Sequence, residues 1–461
     1  MRQLLMFLVA AAAAAQPQAP APRTMRVDYA HSGTAADEQF ALENVVLEGA
    51  WPGPADRWID NTNLGKYSFQ VSDAASGRPI YSRGYASVFG EWQTTDEAKK
   101  VRRAFHESVR FPAPPGKVKL SLRGRGPRNE FRQLWSVEID PADPAIDRSA
   151  PPRLNVWSVM KNGEPSDKVD LLLLGDGYTA AEMEKWHQDA RRLTGLLFAA
   201  SPFKEHRGDF NVWAIDTPAD ESGVSRPSDA IYRRSPLGAA YDAFGSERYV
   251  LTFENRRLRE IASAAPYEFI EIVVNGRKYG GGGIFNLYAT VAADNAFTPY
   301  VFVHEFGHHF AGLADEYYTS DVAYSSAAAR PEPWEPNATA DPRAAKWKDL
   351  LAPGIALPTP WPKAGFERAE TETQKRRRDI RAAHRPEEEM EALFREEMAN
   401  DTRLLASGPN AGKVGAFEGA MYEARGYYRP QQDCIMFTRD EVGFCAVCRR
   451  AIERIIRLYA K

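Results

Sequence analysis

Cysteine is scarce: the chain has three, all near its C-terminus, at Cys434, Cys445 and Cys448. That excludes the dense disulfide framework that holds small secreted domains together. Charge of one sign is lacking too. A formal net charge of −3 over 461 residues gives no electrostatic case for a nucleic-acid or membrane-surface partner. Beyond the N-terminal segment, no apolar run reaches the roughly 20 residues that a spanning helix needs, so stable membrane insertion is not expected. No Gly-x-x-x-x-Gly-Lys loop is present to cradle phosphate. No internal repeat is evident. Histidine is rare as well, at eight residues.

What is present indicates a folded, exported, multidomain chain. Apolar residues make up 44% and aromatics 11%, above what a disordered sequence carries. Arg2 followed by an apolar run from Leu4 to Ala15, closing in Ala13-Ala14-Ala15, reads as a signal peptide over residues 1–15. Export to the periplasm or medium is therefore expected. Residues 16–24, rich in Pro and Ala, read as a flexible leader.

Residues 25–145 carry the period-two pattern of strands. Lys117 to Arg123 alternates strictly, and so do Trp135, Val137 and Ile139 with their neighbours. Gly124 to Asn129 reads as the turn between them. Tyr67 to Tyr85 reads as another hairpin around Ser76-Gly77-Arg78-Pro79. The expectation is an all-β sandwich with no cluster of catalytic residue types. Prolines at 141, 144, 151 and 152 mark a linker. From 146 to 461 the texture changes to strands alternating with helices, an α/β (α+β) domain. Val169–Leu174, Asn211–Ile215 and Phe269–Val274 are its strand candidates. Thr179 with Glu182 forms a capping box that starts a helix. Residues 366–406 are highly charged and helical in pattern, and read as a solvated helical insertion.

The chemistry sits at His304-Glu305-Phe306-Gly307-His308. Four residues apart on a helix, His304 and His308 share one face and can grip one metal ion. Glu305 stands beside the first ligand, placed to act as a general base. Gly312 can end the helix with a left-handed turn. That turn can bring Asp315 back as a third metal ligand, with Glu316 as the alternative. One zinc per chain is expected, with a coordination position left open as catalytic sites require. His309 points elsewhere and reads as a packing or supporting residue. Gly280, Gly281, Gly282 and Gly283 precede this helix. They read either as an exposed strand edge that pairs with a substrate backbone or as a plain loop. Cys445 and Cys448 are three apart on a helix, so either could pair with Cys434 in a disulfide, leaving one thiol over. A Cys-x-x-Cys can also be half of a structural zinc site, but the sequence holds no second pair, so the disulfide is the expectation.

His304 to Tyr318 resembles the zinc helix and turn of the IgA peptidase family, a metzincin-like group of bacterial zinc endopeptidases. Tyr428-Arg429-Pro430, Cys434-Ile435-Met436 and Phe444-Cys445-Ala446-Val447-Cys448 are similar to the family's methionine turn and its flanks. Gly175-Asp176-Gly177-Tyr178 fits the start of the same catalytic domain. The resemblance implies that Met436 forms an apolar floor beneath the metal. It also implies a secreted zinc endopeptidase acting on proteins or peptides, with Tyr317, Tyr318, Tyr427 and Tyr428 as candidate donors to the oxyanion. Common metzincins carry glycine seven residues after the first histidine and a third histidine at ten; Ala311 and Ala314 stand there instead. A zinc exopeptidase and a non-catalytic zinc-containing binding protein are the competing readings. The intact Glu305 argues against the second.

Overall fold

The computed structural model describes residues 22–320 and 330–461. The expected signal peptide and residues 16–21 of the leader lie outside them, and Arg23 and Thr24, read as leader, instead open the first strand. Among the described residues, no helix is long and apolar enough to cross a membrane.

The alternating N-terminal segments form seven strands: β1 (Arg23–Gly33), β2 (Glu38–Ala50), β3 (Tyr67–Asp73), β4 (Pro79–Tyr85), β5 (Arg103–Pro112), β6 (Val118–Arg125) and β7 (Phe131–Ile139). A short helix, α1 (Val88–Trp92), interrupts them. All pairings are antiparallel, in a sheet of order β2-β1-β5 and a second of order β4-β3-β6-β7. On β6, Val118, Leu120 and Leu122 are buried while Lys119 faces solvent. These residues meet Met25, Val27 and Tyr29 of the other sheet in one core. Each such side chain contributes about 1.5–3 kcal/mol relative to exposure, which fixes the register, since a one-residue slip would expose all of them.

The second region builds β8 (Val156–Met160), β9 (Val169–Asp176), α2 (Met183–Leu197), β10 (Phe210–Ile215), the two-residue pair β11 (Ala239–Ala240) and β12 (Leu251–Thr252), and α3 (Asn255–Ala262). Then follow β13 (Phe269–Val274), β14 (Gly281–Ile284), β15 (Tyr288–Ala292) and α4 (Thr298–Ala311). A six-stranded sheet runs β14-β15-β13-β9-β10-β8. Its four inner strands are parallel and its two edges antiparallel. Every residue of β9 and β13 is buried, as central strands covered on both faces require. The Thr179–Glu182 capping box forms as read, and leads into α2. The fold is thus mixed α/β behind a β-rich N-terminal region.

Two expectations are corrected. Residues 366–406 are helical and largely solvent-facing, as read, but one face is buried. They form the helices α5 (Lys363–Ala382) and α6 (Glu387–Leu405), which bury Phe366, Glu370, Gln374, Arg377, Met390, Leu393, Phe394, Glu397, Asp401 and Leu405. The inward face is itself partly ionic, with Glu397 bound by Arg439 at 2.8 Å, so composition concealed it. The linker likewise does not hold two separate bodies apart. Leu64, Ala86, Val88, Phe89, Trp92, Ala98 and Phe105 belong to the same continuous core as β9 and β13. Ala86 N–H donates to the Phe285 carbonyl at 2.9 Å, and the Asn286 amide to the Gly84 carbonyl at 2.9 Å. The chain closes with the hairpin β16 (Phe417–Ala420) and β17 (Glu423–Arg429) and the helix α7 (Ala446–Tyr459).

Candidate metal centre and active-site cleft

Helix α4 starts with Pro299 in its first turn and ends at Gly312, whose φ of +61° is the left-handed conformation that glycine adopts without strain. The helix packs directly on the glycine strand β14. A Cβ on Gly281 would lie 2.6 Å from Val301 Cγ1, and one on Gly283 would collide with the Glu305 carbonyl oxygen. The glycines therefore serve close helix–strand approach. The strand's outer edge is already bridged at Gly281 by Tyr249, and Gly280, Gly281 and Gly282 are buried. Of the four, only Gly283 is half-exposed, so the reading of a fully exposed edge is corrected to that one residue.

His309 bolts the helix from behind. Its Nδ1 donates to the Ile284 carbonyl at 3.0 Å, and its Nε2 accepts from Ile270 N–H at 3.1 Å. Burial pushes its pKa down to about 3, so it stays a neutral crosslink.

On the opposite face, His304 Nε2 and His308 Nε2 are 3.1 Å apart. Asp315 Oδ1 lies 3.0 Å from the first and 3.2 Å from the second. Each imidazole donates its other nitrogen to a carbonyl: His304 Nδ1 to Ile435 at 2.9 Å and His308 Nδ1 to Leu313 at 2.6 Å. With each Nδ1 so engaged, both Nε2 atoms face one point with Asp315, where an ion would replace the proton His308 shares with that carboxylate. Three donors about 3.3 Å apart are what zinc–nitrogen bonds of 2.0–2.1 Å in a tetrahedron demand. The donor set therefore fits zinc. Its electrostatics suit a cation as well. Burial opposes charge here, yet Asp315 raises His308 to about 10, and the two histidines hold Asp315 well below the usual carboxylate range.

Glu316 goes elsewhere. Its carboxylate accepts from the Asn337 amide at 2.9 Å and approaches Cys448 Sγ at 3.4 Å, away from the imidazoles. Glu305 lines the cleft, and one of its oxygens lies within 4.8 Å of both imidazole donors. Burial pushes its carboxyl above the ordinary range, against the pull of His304 and His308. Met436 is fully buried beneath α4: a Cβ on Gly307 would sit 3.2 Å from its sulfur. The Met436 carbonyl also accepts from Glu316 N–H at 2.8 Å, tying the turn to the ligand loop.

Of the four tyrosines singled out in the sequence, only Tyr317 lines the cleft. Its hydroxyl accepts from Arg248 Nη2 at 3.0 Å. Tyr318 packs on Phe366 and Phe437, Tyr427 bonds to the Pro331 carbonyl, and Tyr428 pairs with Thr339, so these three are removed from the oxyanion candidates.

Sequence reading missed Arg248 and Tyr422. Tyr422 sits at the two-residue tip of the β16–β17 hairpin, where Met421 and Tyr422 both have positive φ, +52° and +64°. Bulky residues in that conformation cost of order 1–3 kcal/mol each. The strain aims the Tyr422 hydroxyl at Asp315 Oδ2, to which it donates. No Asn-Gly signal announced such a turn. Tyr422→Phe should relax the hold on Asp315 and lower metal affinity by about 10–100-fold, as loss of a supporting partner does. Titration against a competing zinc chelator checks this, and unchanged affinity would remove Tyr422 from the centre.

The cleft measures about 350 Å³. Its far wall comes from the β-rich region: Lys66, Ala86, Gly90, Glu91 and Thr94 face Arg248, Glu305, His308 and Tyr317. Lys66 is pinned there, donating to the Gly90 carbonyl at 2.7 Å.

An α/β domain with two imidazoles and two carboxylates converging in a cleft has the build of a metallohydrolase. Residues 157–456 match the family described as IgA Peptidase M64, and residues 18–136 match Peptidase M64 N-terminus. The chain belongs to the IgA peptidase M64 family, a family of metallopeptidases. No curated protein matches it.

The cysteines need a separate correction. In this structure Cys434, Cys445 and Cys448 stand as three buried, unbridged thiols. The sulfurs of Cys434 and Cys448 are 3.9 Å apart. They gather around the Glu316 carboxylate, a partner that counting cysteines alone does not supply.

Proposed function

We propose that the protein is an exported zinc endopeptidase with a metzincin-like catalytic domain. The observation that carries this reading is the meeting of His304 Nε2, His308 Nε2 and Asp315 Oδ1 within 3.2 Å, with Glu305 beside them in the cleft. His304, His308 and Asp315 would hold one zinc ion. When bound, zinc supplies a Lewis acid for the scissile carbonyl and makes water a stronger acid. Glu305 takes the proton of the attacking water and returns it to the leaving amine. The Tyr317 hydroxyl, oriented by Arg248, donates to the carbonyl oxygen as charge develops there. Gly283 offers backbone groups to an extended substrate, and the Lys66–Glu91 wall confines it from the other side.

An exopeptidase reading has one specific support: the Arg248 guanidinium in the cleft could anchor a terminal carboxylate. Incubation with casein separates the two. Chelator-sensitive cuts at internal bonds are expected. Release of single terminal residues alone would replace the endopeptidase reading, and no cleavage at all would leave the binding-protein reading.

A further inference from the structure

A second group of donors lies behind the cleft, and the mechanism above does not use it. Sγ of Cys434, Cys445 and Cys448 and a carboxylate oxygen of Glu316 all lie within 4.8 Å of one another. All four residues are buried, with Glu316, Cys434 and Cys448 fully enclosed. A zinc–sulfur bond of 2.3 Å places tetrahedral sulfurs about 3.8 Å apart; Cys434 and Cys448 are at 3.9 Å. The shorter zinc–oxygen bond brings sulfur and oxygen to about 3.5 Å; Cys448 Sγ and the nearer Glu316 oxygen are at 3.4 Å. The group is too tight to surround a multi-iron cluster, and three sulfurs with one oxygen suit a single zinc ion.

Three further features point to an ion. Glu316 Oε2 has no hydrogen-bond partner although it is fully buried, a costly state for a carboxylate. Backbone amides point at the sulfurs: Cys445 N–H at Cys434 Sγ, 3.3 Å, and Cys448 N–H at Cys445 Sγ, 3.4 Å. Cys445 is the N-cap of α7, so two thiolates would sit at the positive end of a helix dipole. Finally, Arg429 is fully buried within electrostatic range of Glu316 and Cys434. Zinc with three thiolates and a carboxylate carries net −2, and the guanidinium offsets half of it.

We propose that Cys434, Cys445, Cys448 and Glu316 form a structural zinc site, distinct from the one in the cleft. Binding releases the three thiol protons and forms three zinc–sulfur bonds and one zinc–oxygen bond, with no change of oxidation state. The site is closed, with four protein ligands and no open position, as structural sites are. Its place in the chain gives it a task. Glu316 follows Asp315 directly, and Cys434 lies two residues before Met436. One ion would fasten the ligand loop and the methionine turn to α7.

Metal counting on the full-length chain tests this, and it does not depend on whether the cleft is catalytic. Elemental analysis should find two zinc ions per wild-type chain. The double variant His304→Ala, His308→Ala should keep one. Mercurial titration of the thiols in that variant, followed with a colorimetric zinc indicator, should release the remaining ion. Cobalt loaded into the same variant should give sulfur-to-cobalt charge-transfer absorption in the near ultraviolet. Should Cys448→Ser fail to fold, these measurements still decide the matter, because they leave all three cysteines intact. Glu316→Gln should weaken retention of this ion while the cleft ion stays. A double histidine variant free of metal, thiol titration without zinc release, or peptide mapping that finds a bridge between Cys434 and another cysteine would overturn the proposal.

Discussion

Glu305→Gln is expected to lose peptidase activity by about 10²–10⁴-fold, the usual cost of removing a general base, while fold and metal content stay at wild-type levels. The amide matches the carboxylate in shape but cannot accept a proton from water. Glu305 is not among the three donors that converge on the metal point, so zinc should remain. Burial and the neighbouring Asp315 raise its carboxyl above the ordinary range, against the pull of both histidines, which suits a group that must return the proton to the leaving amine. Steady-state casein cleavage with parallel elemental analysis measures both halves of the result. Activity within a few-fold of wild type would assign the base elsewhere, and loss of metal would make Glu305 a ligand.

Asp315→Ala should empty the cleft of zinc at concentrations where the wild type is saturated, and activity should go with it. Loss of a supporting partner alone typically costs 10–100-fold in metal affinity; removal of a primary donor costs more. The variant also leaves His308 without the carboxylate that raises it to about 10. Full zinc and full activity in Asp315→Ala would return the choice of third ligand to open question.

The histidine pair was legible because its spacing is local: four residues on one helix need no tertiary knowledge. The choice of Asp315 over Glu316 had no such local signal behind it. Beyond Gly312 the chain leaves the helix, and adjacent side chains there go to different places. One carboxylate meets the imidazoles and the next meets the cysteines. Which side was inward depends on Met436 and Asn337, far along the chain. Tyr422 was invisible for the same reason, since its hydroxyl reaches across 107 residues to Asp315. Of the four tyrosine candidates, Tyr318, Tyr427 and Tyr428 make core and loop contacts instead. The strand pattern of the β-rich region and the apolar runs of β9 and β13 were read correctly, because burial leaves its period directly in the residues.

Seven side chains of the N-terminal region join the core of the peptidase sheet, and five of its residues line the cleft opposite His308 and Glu305. This has a consequence for modularity. An accessory domain joined by a tether can be lost or exchanged between proteins without disturbing its neighbour. Here the boundary that prolines mark in the chain is not a boundary in the solid. Cutting at residue 150 would remove Phe89, Trp92 and Phe105 from the core they share with β9 and β13, and would open the cleft on one flank. The two regions fold around one core and wall one cleft together.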